Sequence, residues 1–196
     1  MVHKINHMSS DSLNLLASLV GDKINKVSIT TAGRPDRQNE SQHNMGFLVL
    51  LQSNNKEVVI FSSPNKTDEG VEFPRLNVVY SQDYSDEDEL FNEREDIETA
   101  LEYTWRCKNL LSGSIIRDKV SWMANEIKWT LETDVGVKLK FNDVQLLVMA
   151  RDSSLGVLEI WVGKSQEWIN NTERYKEIHS FDPSELREIE RIEVTF

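Results

Sequence analysis

Val135-Gly136-Val137-Lys138-Leu139-Lys140-Phe141 alternates apolar and polar side chains, Asn142-Asp143 interrupts it, and residues 144–150 resume it as Val-Gln-Leu-Leu-Val-Met-Ala. After Asp152-Ser153-Ser154-Leu155-Gly156 a third apolar run covers residues 157–162. Period-two runs separated by short Asn/Asp/Ser/Gly breaks predict a three-stranded antiparallel meander over about 135–163.

The same grammar extends outward from this stretch. Lys23 to Thr31 alternates around Ile24, Val27 and Ile29. Residues 47–51 and 58–61 are apolar runs split by Ser53-Asn54-Asn55-Lys56, a hairpin signal, and a further run, 76–80, follows Pro74. Residues 114–132 fit both a helical face (Ile116, Val120, Met123, Ile127, Leu131) and alternation (Val120, Trp122; Ile127, Trp129, Leu131), and are read as strands. Ile192, Val194 and Phe196 alternate at the C-terminal end and predict a terminal strand.

Helix signals are fewer. Ser9 or Ser10 caps a helix running to about Val20, with Leu13, Leu16, Ala17 and Val20 on one face and Gly21 at its stop. Ile97, Leu101 and Trp105 mark a second helical face, with Gly113 after Leu110-Leu111 as its stop. Trp168, Thr172 and Tyr175 have helical spacing, and Asp182-Pro183-Ser184-Glu185 reads as a helix start.

The two halves echo one another. Leu19, Gly21 and Ile24 match Leu111, Gly113 and Ile116, Lys26-Val27-Ser28 matches Lys119-Val120-Ser121, and Gly46-Phe47 precedes a run like that after Gly136. The expectation is therefore an α+β fold of two similar halves, each a helix followed by an antiparallel β-meander, with a helical C-terminal tail and a terminal strand. The segments are a flexible N-terminus (1–8), a first half (9–81), an acidic connector (82–98) and a second half (99–196).

Charge is concentrated in that connector. Net charge over 196 residues is −11, and residues 82–98 hold nine acids and one base, −8, leaving −3 elsewhere. No basic stripe exists to neutralise phosphates, so direct nucleic-acid binding is not expected. No apolar run reaches the length of a membrane span, the N-terminal residues lack a signal-peptide core, and the single cysteine, Cys107, reads as a buried thiol. Cytoplasmic residence is the expectation, and the Asn-x-Ser/Thr triplets at Asn39, Asn65 and Asn170 are then chance matches.

No nucleotide-loop, nucleophile-elbow, paired-cysteine or calcium-loop pattern occurs, and no cofactor or metal is expected. His3 and His7 have the i, i+4 spacing of helical metal ligands but precede any helix signal. His43 sits in a polar loop with Arg34, Asp36, Arg37 and Glu40, and His179 falls between two candidate helices. Glu159 and Lys164 stand five apart on a strand, so they face opposite sides and cannot share a metal.

These features favour a non-enzymatic protein-binding module, concretely an immunity- or antitoxin-type inhibitor of a basic bacterial toxin. In size and charge the chain is similar to small acidic bacterial immunity proteins, a likeness of style carried by no motif. The partner-binding candidates are the acids Asp83, Asp86, Glu87, Asp88 and Glu89 and the aromatics Trp122 and Trp129, the latter two weighed against a core role; Trp105, Trp161 and Trp168 are read as core. The alternatives are an acidic mimic of nucleic acid that blocks a defence protein, an enzyme with an unrecognised site between the halves, and a scaffold piece that packs on another copy as a homodimer. The first requires acids spread along an extended surface, whereas these are clustered.

Overall fold

The computed structural model describes residues 1–31, 36–38, 41–66, 72–84, 99–124, 126–151, 156–163 and 188–196. In chain order these form β1 (Val2–Asn6), α1 (Ser10–Ala17), β2 (Lys23–Thr31), β3 (Asp36–Gln38), β4 (Ser41–Ser53), β5 (Glu57–Lys66) and β6 (Glu72–Tyr80), then a 3-10 turn at Ser81–Asp83. They continue with β7 (Thr99–Ala124), β8 (Ile127–Phe141), β9 (Gln145–Ala150), β10 (Leu158–Gly163) and β11 (Glu188–Thr195).

All eleven strands belong to one mixed sheet. The pairings β8–β9, β9–β10, β10–β4, β4–β2, β2–β7 and β7–β8 are each antiparallel, and together they close a six-stranded ring. Closure gives the ring strands partners on both sides, so the unpaired edges fall to the strands added outside the ring. Three ring strands overrun it and pick up extra partners: β4 carries the β5–β6 hairpin, β7 carries β11, and β8 carries β1 in parallel.

This architecture corrects the α+β expectation of two helix-led halves. The fold is predominantly β, and α1 is the one α-helix among the described residues. The second helix, expected around Ile97, Leu101 and Trp105, is replaced by the 26-residue strand β7. A spacing of four residues is a multiple of two as well as close to 3.6, so it fits a strand as readily as a helix. Nor are the halves equivalent: Lys23–Thr31 pairs with β7 itself instead of occupying a matching place elsewhere. The helices expected after Ser165 and at 182–185 fall in 164–187, outside the described residues. Residues 1–8, expected to be a flexible end, contain β1.

The helix forms where its cap predicts. Ser9 Oγ accepts the Ser12 amide at 3.1 Å, and Leu15 and Leu16 enter the core. Ser12 Oγ, itself buried, donates to the Val78 carbonyl at 2.8 Å and accepts from the Val78 amide, pinning α1 to β6. Gly21, at φ +90, takes the left-handed conformation that glycine permits, four residues beyond the last helical residue.

Gly113, by contrast, is not a helix stop. It lies inside β7, and a Cβ there would fall within the ring of Phe196, whose amide donates to the Gly113 carbonyl at 3.0 Å. Its missing side chain makes room for the C-terminal residue.

The main core gathers Leu16 and Leu19 from α1 and the turn after it, Ile24, Val27 and Ile29 from β2, Val49 and Leu51 from β4, Val58 and Ile60 from β5, and Leu76 and Val78 from β6. Leu110, Ile115, Val137, Leu139, Phe141, Val148 and Ile160 complete it from the other strands. A second cluster (Ile116, Val135, Leu147, Met149, with Trp161) lies on the opposite face of β8–β10. A third holds Phe73, Val120, Trp122 and Leu131 with Trp129 and Ile189.

Two ion pairs tie the overrunning strands down. Asp134, almost fully buried, accepts from Arg117 Nε at 2.7 Å and from the Met8 amide at 2.7 Å, which fixes the link between β1 and α1. Asp118, with no exposure, accepts from Arg191 Nε at 2.6 Å and from a second guanidinium nitrogen, which fixes β11 to β7. Farther along β11, burial pushes the Glu193 carboxyl up, while Ser114 Oγ at 2.6 Å and Lys138 Nζ at 2.9 Å together pull it below its ordinary range.

Removing Arg191 strips a buried carboxylate of its guanidinium, so Arg191→Met is expected to cost about 3–5 kcal/mol in a denaturant titration. The double variant Asp118→Leu/Arg191→Met, which removes both charges, should regain most of that loss. A single variant as stable as wild type would show that the pair does not hold β11.

Candidate interaction surfaces

Of the expected partner-binding residues, Asp83, Trp122 and Trp129 are described. Asp83 closes the exposed 3-10 turn at the end of β6, whereas Asp86, Glu87, Asp88 and Glu89 lie outside the described residues. Trp122 and Trp129 face one another across β7 and β8, ring centroids 6.0 Å apart and planes 15° from parallel. Trp122 is buried against Phe73, at the start of β6, and Trp129 is half-buried. From Phe73 to Tyr80 a strand rises roughly 23 Å, at 3.3 Å per residue, so the tryptophans and Asp83 are at opposite ends of β6.

At the Asp83 end an open cleft of about 680 Å³ lies between residues 52–57 and residues 80–82. The sequence signals for it were the hairpin turn and the start of the acidic connector, but only the β5–β6 pairing brings them side by side, with Val58 opposite Tyr80. The walls are polar. Gln52 Nε2 donates to Glu57 Oε1 at 2.6 Å, and Lys56 is held away from its neighbours by the Ser18 carbonyl at 2.6 Å and Asp22 Oδ2 at 3.2 Å. Lys56 is paired with Asp22, which leaves the Glu57 carboxylate to set the sign of the lining, with exposed Tyr80 on the wall and Asp83 next in sequence to the lining residue Gln82.

At the other end of β6, β11, β7, β8 and β1 overrun the ring as a four-stranded sheet. Register assigns its two faces. Val120, Trp122, Asp118, Leu131 and Thr133 are buried on one. The other carries the exposed Ile5, Met123, Ile192 and Val194 among Lys119, Glu132, Glu188, Glu190 and His3. Glu132 is flanked on β1 by His3 Nε2 at 3.7 Å from Oε1 and His7 Nε2 at 3.6 Å from Oε2. The i, i+4 histidines therefore converge on a carboxylate from a strand and its end, not from a helix.

Glu159 is buried on β10 with Arg151 at 3.6 Å, whereas Lys164 and His179 lie outside the described residues. His43 and Cys107 fall within β4 and β7. Among the described residues no group of three His, Cys, Asp or Glu side chains is arranged to hold a metal ion, and no helix is long and apolar enough to cross a membrane.

No family model, curated protein or solved structure matches the chain.

Because Trp122 is buried in a core cluster, Trp122→Ala is expected to lower unfolding free energy by about 3–5 kcal/mol, and Trp129→Ala by visibly less. Equal and negligible losses in a denaturant titration would make the stacked pair a surface feature instead.

Proposed function

We propose that this chain is a non-enzymatic protein-binding module whose partner presents a basic surface. In its finer form it is an immunity- or antitoxin-type inhibitor of a basic bacterial toxin. The observation that carries the reading is the exposed Asp83 on its 3-10 turn beside the polar cleft, at the point where the acidic connector departs from a strand of the fold. A concave surface with an exposed tyrosine suits an inserted side chain or loop, since aromatic residues anchor protein interfaces. The adjoining run of acids supplies long-range attraction to a cationic partner. A segment of −8 in 17 residues accelerates encounter with such a partner and repels acidic competitors.

A pull-down from native lysate at low and high salt tests this, with wild type and a variant carrying Asp83, Asp86, Glu87, Asp88 and Glu89 as Asn or Gln. Wild type should capture a basic protein whose binding weakens with salt. Loss of five negative charges, at a few tenths of a kcal/mol each, should weaken capture by about tenfold. Tyr80→Ala should weaken it without altering its salt dependence. A captured protein indifferent to the acids and to salt would sink the reading.

A further inference from the structure

We propose that the open face of the β11–β7–β8–β1 sheet is the interface of a symmetric homodimer. Four side chains on it stand well out of the fold: Ile5 at 62%, Met123 at 58%, Ile192 at 48% and Val194 at 37% exposure. Large apolar residues gathered on one sheet face, with the opposite face already buried in the core, mark an association surface more than scattered ones do.

Charge complementarity selects a second copy of this chain as the occupant. Register aligns the face in cross-strand rows, Glu190–Lys119–Glu132–Ile5 and Glu188–Ser121–Thr130–His3. Acids crowd one edge of the face, on β11, and a histidine the other, on β1. A two-fold axis running across the strands would stack β11 on β11 and set Glu188 and Glu190 against their own copies. An axis running along the strands, between β7 and β8, reverses each row instead. Lys119 then lies over Glu132 of the second copy and Glu132 over its Lys119, Glu188 faces its His3, and Ile5 lies over its Glu190, one row from its Ile192. Such a contact is isologous, each residue pair occurring twice, as a closed dimer requires. Two sheets meeting face to face at about 10 Å also match a common packing mode.

Four strands at about 4.8 Å and about three shared rows at about 6.8 Å give a footprint of roughly 400 Å² per copy, or roughly 800 Å² in total, the size of a weak, concentration-dependent dimer.

Sedimentation equilibrium on the full chain reads this directly. Wild type should approach twice the monomer mass of 22.7 kDa with rising concentration. K119E and E132K should each be monomeric alone, because each places like charges opposite one another. Mixed in equal amounts they should associate again, since each then supplies the sign the other lacks. Ile5→Asp should also be monomeric, and neither charge variant should rescue it. Circular dichroism checks that each variant is folded; if a charge variant unfolds, wild type and Ile5→Asp, altered at an exposed edge position, decide the matter. Wild type remaining at the monomer mass at every concentration, a dimer surviving the reversals and Ile5→Asp, or folded reversals that fail to associate on mixing would overturn the proposal.

Discussion

Everything in this fold depends on one strand serving two partners. Over Thr99–Asn109 β7 pairs with β2, and over Leu110–Ala124 with β8, so the ring closes only because the chain stays extended through the exchange. At the hand-over Leu110 donates to the Asp22 carbonyl at 3.0 Å and accepts from the Gly21 amide at 2.8 Å, so both backbone polar groups of Leu110 are satisfied. A register shift between Leu110 and Ser112 pushes exposed Leu111 outward and reverses the alternation, which lets Leu110 and Ile115, five residues apart, both point into the same core.

That irregularity explains what was legible beforehand. The helix cap at Ser9, strand β2 and the successive pairing of β8, β9 and β10 follow from local patterns that the structure leaves undisturbed. Ring closure does not, because it joins residues 23–31 to 99–109 and 42–46 to 158–162, and no local period records a partner so distant. The doubled apolar pairs Leu110-Leu111 and Ile115-Ile116 resemble helix grammar, yet they arise from a bulge and from a strand buried on both faces. Gly113 resembled a cap for the same reason: a glycine required for packing against Phe196 looks in sequence like one required for a left-handed backbone.

The candidate surfaces were partly legible in the same sense. Composition marks the acidic connector, but the cleft beside Asp83 exists only once β5 and β6 pair. The tryptophans are legible as aromatics, yet the burial of Trp122 in a cluster that includes Phe73 depends on strands distant in sequence. The open sheet face was invisible from sequence, since Ile5, Met123 and Ile192 share it only through the registers of β1, β7, β8 and β11. The two surfaces sit at opposite ends of β6, so a dimer through one leaves the other open to a second protein.

Residue-resolved amide hydrogen exchange tests the closed ring most directly. If β7 locks the ring, the amides of Leu110 and Gly21 exchange only with global unfolding, alongside those of Val27 and Val148, while Asn54 and Asn55 in the exposed turn exchange far faster. Leu110 exchanging as fast as Asn54 or Asn55 would mean that the strand does not hold both partners at once, and the ring would be open.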